Sequence, residues 1–182
     1  GTVTENCYFP KLKKAGNCAF KNCNITSLTK SHFPVLQEVG DRSFVDCPIK
    51  KLNLPFLEQV GDYGFCRTKI RKISRSHLPN LKLIGEGSFS KCPITSVNLP
   101  SLIKIDNEAF LDCQSLRSFI ADMLLTISSN CFSNCPITSV NLPNLTSIGE
   151  QGLKNCKSLV SFTAVKLQKI GQSCFSNCPI IR

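Results

Sequence analysis

Apolar residues recur along the chain in one fixed order. A Leu or Phe followed by Pro leads to L-x-x-I, a Gly, and a Phe four residues on. Then come x-x-C and I-x-x-V-x-L, which runs into the next Leu-Pro. In register the copies begin at Phe9, Phe33, Leu54, Leu78, Leu99, Ala121, Leu142 and Ala164, spaced by 24, 21, 24, 21, 22, 21 and 22 residues. A fixed period in the twenties marks a solenoid of stacked coils. Residues 1–8 form a partial N-terminal repeat, with Cys7 in the register of Val97, so the whole chain, residues 1–182, reads as one repeat domain without a linker.

Each coil resolves into the same elements. In Ile49-x-x-Leu52-x-Leu54, Ile94-x-x-Val97-x-Leu99 and Ile137-x-x-Val140-x-Leu142 the last part alternates, as a strand buried on one face must. Proline has no N–H for a ladder and ends it. The pairs Leu81 with Ile84, Leu102 with Ile105 and Leu145 with Ile148 point into the same core. Gly16, Gly40, Gly61, Gly85, Gly149 and Gly171 are expected to supply a turn with positive φ, and the short run after each suits one or two helical or 3-10 turns. One coil cannot bury its own apolar face, so stacking should place equivalent strands about 4.8 Å apart in a continuous parallel sheet. The expectation is an α/β repeat solenoid with a parallel β-sheet on one face and short helical or 3-10 turns on the other.

The phrases CPITSVNLPSLIKIDNEAFLDC and CPITSVNLPNLTSIGEQGLKNC resemble BspA-type leucine-rich repeats, whose hallmark is I-G-x-x-A-F-x-x-C-x-x-L. The resemblance spans residues 9–182. Its departures are Asp106 and Ser128 for Gly, Thr68 for Cys, Leu153 for Phe, and Ala121-Asp122 and Ala164-Val165 for Leu-Pro. None removes a core position. The resemblance implies a surface-exposed or secreted adhesion module that binds host or matrix molecules.

Twelve cysteines invite a disulfide or zinc reading. Seven of them (Cys23, Cys47, Cys92, Cys113, Cys135, Cys156 and Cys178) occupy one core column, where cysteine behaves as a small hydrophobe. Parallel side chains on adjacent coils lack the dihedral a bridge requires. On this reading Cys113→Ser places a hydroxyl among apolar neighbours, at a cost on the order of 1–3 kcal/mol. The others are Cys7, Cys18, Cys66, Cys131 and Cys174, whose bridging the sequence leaves open. Cys131 with Cys135 and Cys174 with Cys178 make C-F-S-N-C pairs, but these lie two coils apart, too far for one closed tetrahedral site, and no metal or other cofactor is expected.

Catalysis finds no constellation. His32 and His77 share one column in matching S-H-F-P and S-H-L-P phrases, and carboxylates are scattered among turns. Gly-Glu-Gly at 85–87 lacks the Lys-Ser/Thr of a phosphate loop. The chain reads as a binding scaffold, not an enzyme.

Charge adds a direction. Of 22 Lys and Arg, 15 fall in residues 1–91 against 7 of 12 acids, giving +8 there and +2 in the remainder. Lys50, Lys51, Lys69, Arg71, Lys72 and Arg75 lie in or beside consecutive strands, a patch suited to an anionic partner or simply a solvated face. The exposed strand positions read Ser27-Thr29, Lys51-Asn53, Lys72-Ser74, Ser96-Asn98, Ser118-Ile120, Ser139-Asn141 and Ser161-Thr163. This polar sheet face suits a protein or a sulfated, anionic glycan. Nucleic acid is not expected, because no stacking platform exists: there is no Trp, and only Tyr8 and Tyr63 add to the core phenylalanines. Asn24-Ile-Thr26 and Asn144-Leu-Thr146 are glycan acceptors if the chain is secreted. No stretch could span a membrane, with 42% hydrophobic residues and mean hydropathy +0.01. The uncapped coils lead us to expect some end-to-end self-association. A cytoplasmic assembly scaffold is the competing reading, because a reducing compartment keeps thiols free.

Overall fold

A computed structural model describes residues 8–179. Its strands in chain order are β1 (Lys14–Ala15), β2 (Ser27–Thr29), β3 (Glu38–Val39), β4 (Lys51–Asn53), β5 (Gln59–Val60), β6 (Lys72–Ile73), β7 (Leu83–Ile84) and β8 (Ser96–Asn98). There follow β9 (Lys104–Ile105), β10 (Ser118–Ile120), β11 (Thr126–Ile127), β12 (Ser139–Asn141), β13 (Ser147–Ile148), β14 (Ser161–Thr163) and β15 (Lys169–Ile170). All pairing is parallel between equivalent strands of neighbouring coils, making a β-solenoid of about seven turns. The even-numbered strands make the first sheet. The odd-numbered ones make a second sheet that the sequence reading did not anticipate.

The core follows from the alternation. Leu28, Leu52, Ile73, Val97, Phe119 and Val140 point inward from the first sheet, and Val39, Val60, Ile84, Ile105, Ile127 and Ile148 from the second. Between them Phe44, Phe65, Phe89, Phe110 and Phe132 stack ring over ring with centroids 5.5 Å apart, continuing one hydrophobic cluster along the axis. Offset stacks of this kind add about 0.5–1.5 kcal/mol per pair beyond the area they bury.

The helical face is absent: no helix forms among the described residues. After each glycine position the chain makes three interlocked turns. In the first described coil these are Ala19 N–H to Gly16 C=O, Lys21 N–H to Cys18 C=O and Cys23 N–H to Phe20 C=O. Two residues per coil, four apart, hold positive φ, for example Cys18 and Asn22, Arg42 and Asp46, or Asn130 and Asn134. Each such residue breaks a right-handed helix. The alternate N–H groups are thereby freed to bond the next coil: Cys18, Phe20 and Asn22 donate to Asp41, Ser43 and Val45 at 2.8–2.9 Å. Stacking wins these bonds, and local helix propensity loses.

The glycine column was expected to need positive φ, but only Gly87, two residues past that column, has it. Its actual constraint is the neighbouring coil. A Cβ on Gly171 would lie 2.5 Å from Glu150 N and Gly149 C, and one on Gly149 would lie 2.7 Å from Ser129 N.

Neither sheet is continuous. The first divides into β2-β4 and β6-β8-β10-β12-β14, and the second into β1-β3-β5-β7-β9 and β11-β13-β15. The first break falls at Thr68-Lys69, which replaces the usual Cys-Pro; the Lys69 N–H, which a proline would lack, donates to Ile49 C=O at 3.0 Å. The second falls at Ser128, in the glycine column. Its hydroxyl donates to Ile105 C=O at 2.7 Å, an acceptor that glycine N–H groups take elsewhere, as Gly149 does from Ile127 at 2.7 Å.

The cysteine column is buried core, but not as inert filler. Each thiol donates to the carbonyl of the Phe column one coil back: Cys47 to Phe20, Cys92 to Phe65, Cys113 to Phe89, Cys135 to Phe110 and Cys156 to Phe132, at 3.0–3.2 Å. Burial raises these thiols, Cys47 to about 11, Cys92 to about 12, and Cys113 well above the ordinary thiol value. They are neutral donors at pH 7 and poor nucleophiles. This lowers the penalty expected for Cys113→Ser, because a serine hydroxyl keeps a donor directed at the same carbonyl. Cys113→Val, of similar size but without a donor, removes one of the two hydrogen bonds of the Phe89 carbonyl, which still accepts from the Cys92 N–H at 3.2 Å, at about 0.5–1.5 kcal/mol. In thermal unfolding, Val should therefore lower the melting temperature more than Ser. The reverse order would mean that the thiol's bond contributes nothing.

Candidate recognition surface

The first sheet presents a polar face because period-two strands send every second side chain outward. Lys51, Lys72, Asn98, Ser118, Ser139, Asn141, Ser161 and Thr163 are exposed, and Asn53, Ser74 and Ser96 are partly so. Register carries Lys72 to Ser96, Ser118, Ser139 and Ser161 in one row. Ser74 lies just past β6, where its hydroxyl meets Ser76 Oγ at 3.0 Å and His77 Nδ1 at 2.8 Å. Thr29 and His32 make the same local pair at 2.9 Å. The two histidines thus fasten the extra turn of the two 24-residue repeats.

Of the basic residues, Lys50, Lys51, Arg71, Lys72 and Arg75 are exposed on or beside this face, with Lys50 and Arg71, and Lys51 and Lys72, at equivalent positions of adjacent coils. Lys69 departs from the expected cluster. It lines a groove on the turn side with Lys91, Pro93, Asp112 and Gln114. The ion pairs Lys14–Glu38, Lys82–Glu58 and Lys104–Asp106 sit at the second sheet, and Arg67–Asp46 on the turn side. The Arg67 hydrogen bonds hold the Asp46 carboxyl below its usual range. None of these five cations has a carboxylate within ion-pair distance among the described residues. Among the described residues only Asp122 brings a negative charge beside the first-sheet strands. Among the described residues the face is therefore predominantly cationic, with its clustered lysines and arginines outside any ion pair.

Of the two sequons, Asn24 is exposed. Asn144 is half-buried and engaged at both ends of its amide: Nδ2 donates to Asp122 C=O at 2.9 Å, and Lys166 Nζ donates to Oδ1 at 2.7 Å. The described cysteines are all free thiols, including Cys18, Cys66, Cys131 and Cys174; Cys7 lies outside the described residues. Cys131 and Cys135 are both wholly buried, and burial raises both thiols.

A second surface went unrecognised in the sequence. On the turn side Asn177 Nδ2 donates to Asn155 Oδ1 at 2.8 Å, Asn155 to Asn134 at 2.8 Å, and Asn134 to Asp112 Oδ1 at 2.7 Å. This amide ladder lies along a polar groove of about 690 Å³. Its signal was present in the phrases F-S-N-C, L-K-N-C and F-S-N-C before Cys135, Cys156 and Cys178.

No curated protein matches the chain significantly. Among solved structures it is similar to a leucine-rich repeat protein from Bacteroides ovatus at 17% identity and a TM-score of 0.49, over 92% of this chain and 63% of that one. The chain thus spans less than two thirds of that protein's length. It is also similar to a leucine-rich repeat protein from Eubacterium ventriosum at 12% identity and a TM-score of 0.39, over 93% of this chain and 81% of that one. The model of the BspA type leucine rich repeat region matches residues 2–117 and 82–182, in six copies. The repeated core phrase, the stacked parallel strands and this match agree, and the chain belongs to the BspA-type leucine-rich repeat family.

Proposed function

We propose that the chain is a non-catalytic recognition module that binds an anionic glycan or an acidic protein surface through its first-sheet face, as part of a surface-exposed or secreted adhesion protein. Its family places it among repeat scaffolds of protein interaction. The observation that carries the finer reading is the cluster of Lys50, Lys51, Arg71, Lys72 and Arg75, which has no carboxylate partner among the described residues, on a face otherwise built mainly of Ser, Thr and Asn, with Ile120 an exposed apolar exception. Uncompensated cations on a rigid surface attract and steer anions, and a flat sheet supplies many small contacts in place of one pocket.

The test is binding of the purified chain to heparin and to a panel of matrix proteins at low and high salt, beside the double variant Lys51→Glu/Lys72→Glu. Both side chains are exposed, so folding should be unaffected. Affinity at low salt should fall at least about tenfold, equivalent to about 1.4 kcal/mol, and the remaining binding should depend less on salt. Salt-independent binding that the variant leaves intact would refute the reading.

The free thiols favour a second reading, a scaffold in a reducing compartment. Localisation of the tagged full-length protein separates the two.

A further inference from the structure

We infer that the turn-side groove is a second binding site, and that its ligand is a neutral, linear oligosaccharide lying along the solenoid axis with one sugar unit per coil. The groove is lined by Asp112, Gln114, Asn134, Asn155, Lys157 and Asn177, none of them apolar. The inference stands apart from the proposed role of the first-sheet face and does not depend on it.

The geometry begins with the backbone. Asp112, Asn134, Asn155 and Asn177 all occupy the second left-handed position of their coils, at φ of 57°, 64°, 59° and 60°. Asparagine and aspartate tolerate this conformation better than most residues. Each amide is then fixed by its neighbour, with the donors running from Asn177 through Asn155 and Asn134 to the Asp112 carboxylate. In this ladder an Asn spends one of its two N–H donors and one lone pair of its oxygen. What remains for a ligand is one donor and one acceptor at each of Asn134 and Asn155, a further donor and acceptor at Asn177, and acceptors alone at Asp112, held in advance by the ladder. A hydroxyl group, which donates and accepts together, matches that offer.

Spacing and charge choose among hydroxylated and amide-bearing ligands. Coils recur about every 4.8 Å, whereas an extended peptide repeats its outward groups about every 6.6–6.8 Å and drifts out of register within two coils. A pyranose unit in an extended β-1,4 chain advances by nearly one coil, so each coil meets one unit, with successive units presenting alternate hydroxyl-bearing edges to the ladder. The six lining residues hold one acid, Asp112, and one base, Lys157, so this stretch carries no net charge. That separates it from the cationic first sheet and favours a neutral sugar. Gln114 and Lys157 replace the proline found at Pro48, Pro93 and Pro136, placing flexible hydrogen-bonding side chains along the ladder's wall.

The experiment is calorimetric titration of the full chain with cellohexaose, xylohexaose and chitohexaose at low and high salt. The same titrations are run on Asn134→Gly/Asn155→Gly, on Gln114→Ala and on Lys51→Glu/Lys72→Glu. Glycine keeps the left-handed backbone while removing the amide, and Gln114 is exposed and outside the ladder, so one of the groove variants reads out even if the other loosens the fold. At least one sugar should bind, independently of salt. Its affinity should fall at least about tenfold in both groove variants and stay unchanged in the lysine variant. Failure of all three sugars to bind, binding untouched by the groove variants, or binding abolished by salt would overturn the inference. So would an uncharged extended peptide binding the groove as tightly as any sugar.

Discussion

Phe110→Ala should destabilise the chain by about 3–5 kcal/mol, the range for truncating a fully buried aromatic residue. Phe110 is wholly buried, stacks on Phe89 and Phe132 with centroids 5.5 Å away on both sides, and meets the edge of Phe119 at 5.6 Å. Truncation leaves a void between two stacked rings, and neither can close it without moving its own coil. Phe175, in the last described coil and only partly buried, makes its ring contact with Phe162 at 5.1 Å. Phe175→Ala should cost clearly less. Urea unfolding of both variants checks the order. Equal losses would mean that the coils do not share one continuous core, and that the stack does not carry stability along the axis as nearest-neighbour coupling requires.

Gly87→Val is the second large effect. Gly87 is buried with φ +57°, and a Cβ there would lie 2.3 Å from Tyr63 Cε1. Left-handed backbone costs an L-residue about 1–2 kcal/mol, at the upper end for a β-branched one, and forcing the ring aside adds about 1–3 kcal/mol. The ring cannot yield freely, because its hydroxyl donates to Glu86 Oε1 at 2.6 Å and Arg42 lies over its face at 5.1 Å. The Glu86 carboxylate holds the phenol proton and raises its pKa to about 12. A double-mutant cycle with Tyr63→Ser divides the loss. The overpacking part should vanish in the Tyr63→Ser background, while the backbone part should persist. Full additivity of the two substitutions would show that the ring is not what excludes the side chain.

These sites also mark where reading the sequence succeeds and where it stops. The inward rows Leu28, Leu52, Val97 and Val140, the Phe column and the Cys column follow from periodicity alone, because a core position constrains its residue regardless of neighbours. The outward polar row was legible for the same reason. Whether the cations on that row were compensated was not, since Glu38, Glu58 and Asp46 are matched with Lys14, Lys82 and Arg67 only once the coils stack. The helical face failed for a related cause. The run after each glycine has acceptable local helix propensity, but helix would use inward the N–H groups of Cys18, Phe20 and Asn22 that instead join coil to coil. Asn134, Asn155 and Asn177 are ordinary loop residues in one dimension. Only the superposition of coils makes them a ladder.

The forward-pointing bonds of the turn side give the molecule a direction. In each described coil but the last, three backbone N–H groups aim at the following coil and meet carbonyls aimed back, as Phe89 does with Ala109 at 2.8 Å and Phe132 with Gly152 at 2.9 Å. Aligned peptide dipoles add, as they do in a helix, with the positive pole on the side of the later coils. The Asn ladder and the thiols run their donors the opposite way and offset part of this field. A seam built in this manner is chemically different in its two directions, with donors facing the later coils and carbonyls the earlier ones. Every coil stacked on this seam adds its three peptide dipoles in the same sense, so the field along the axis grows with the number of coils.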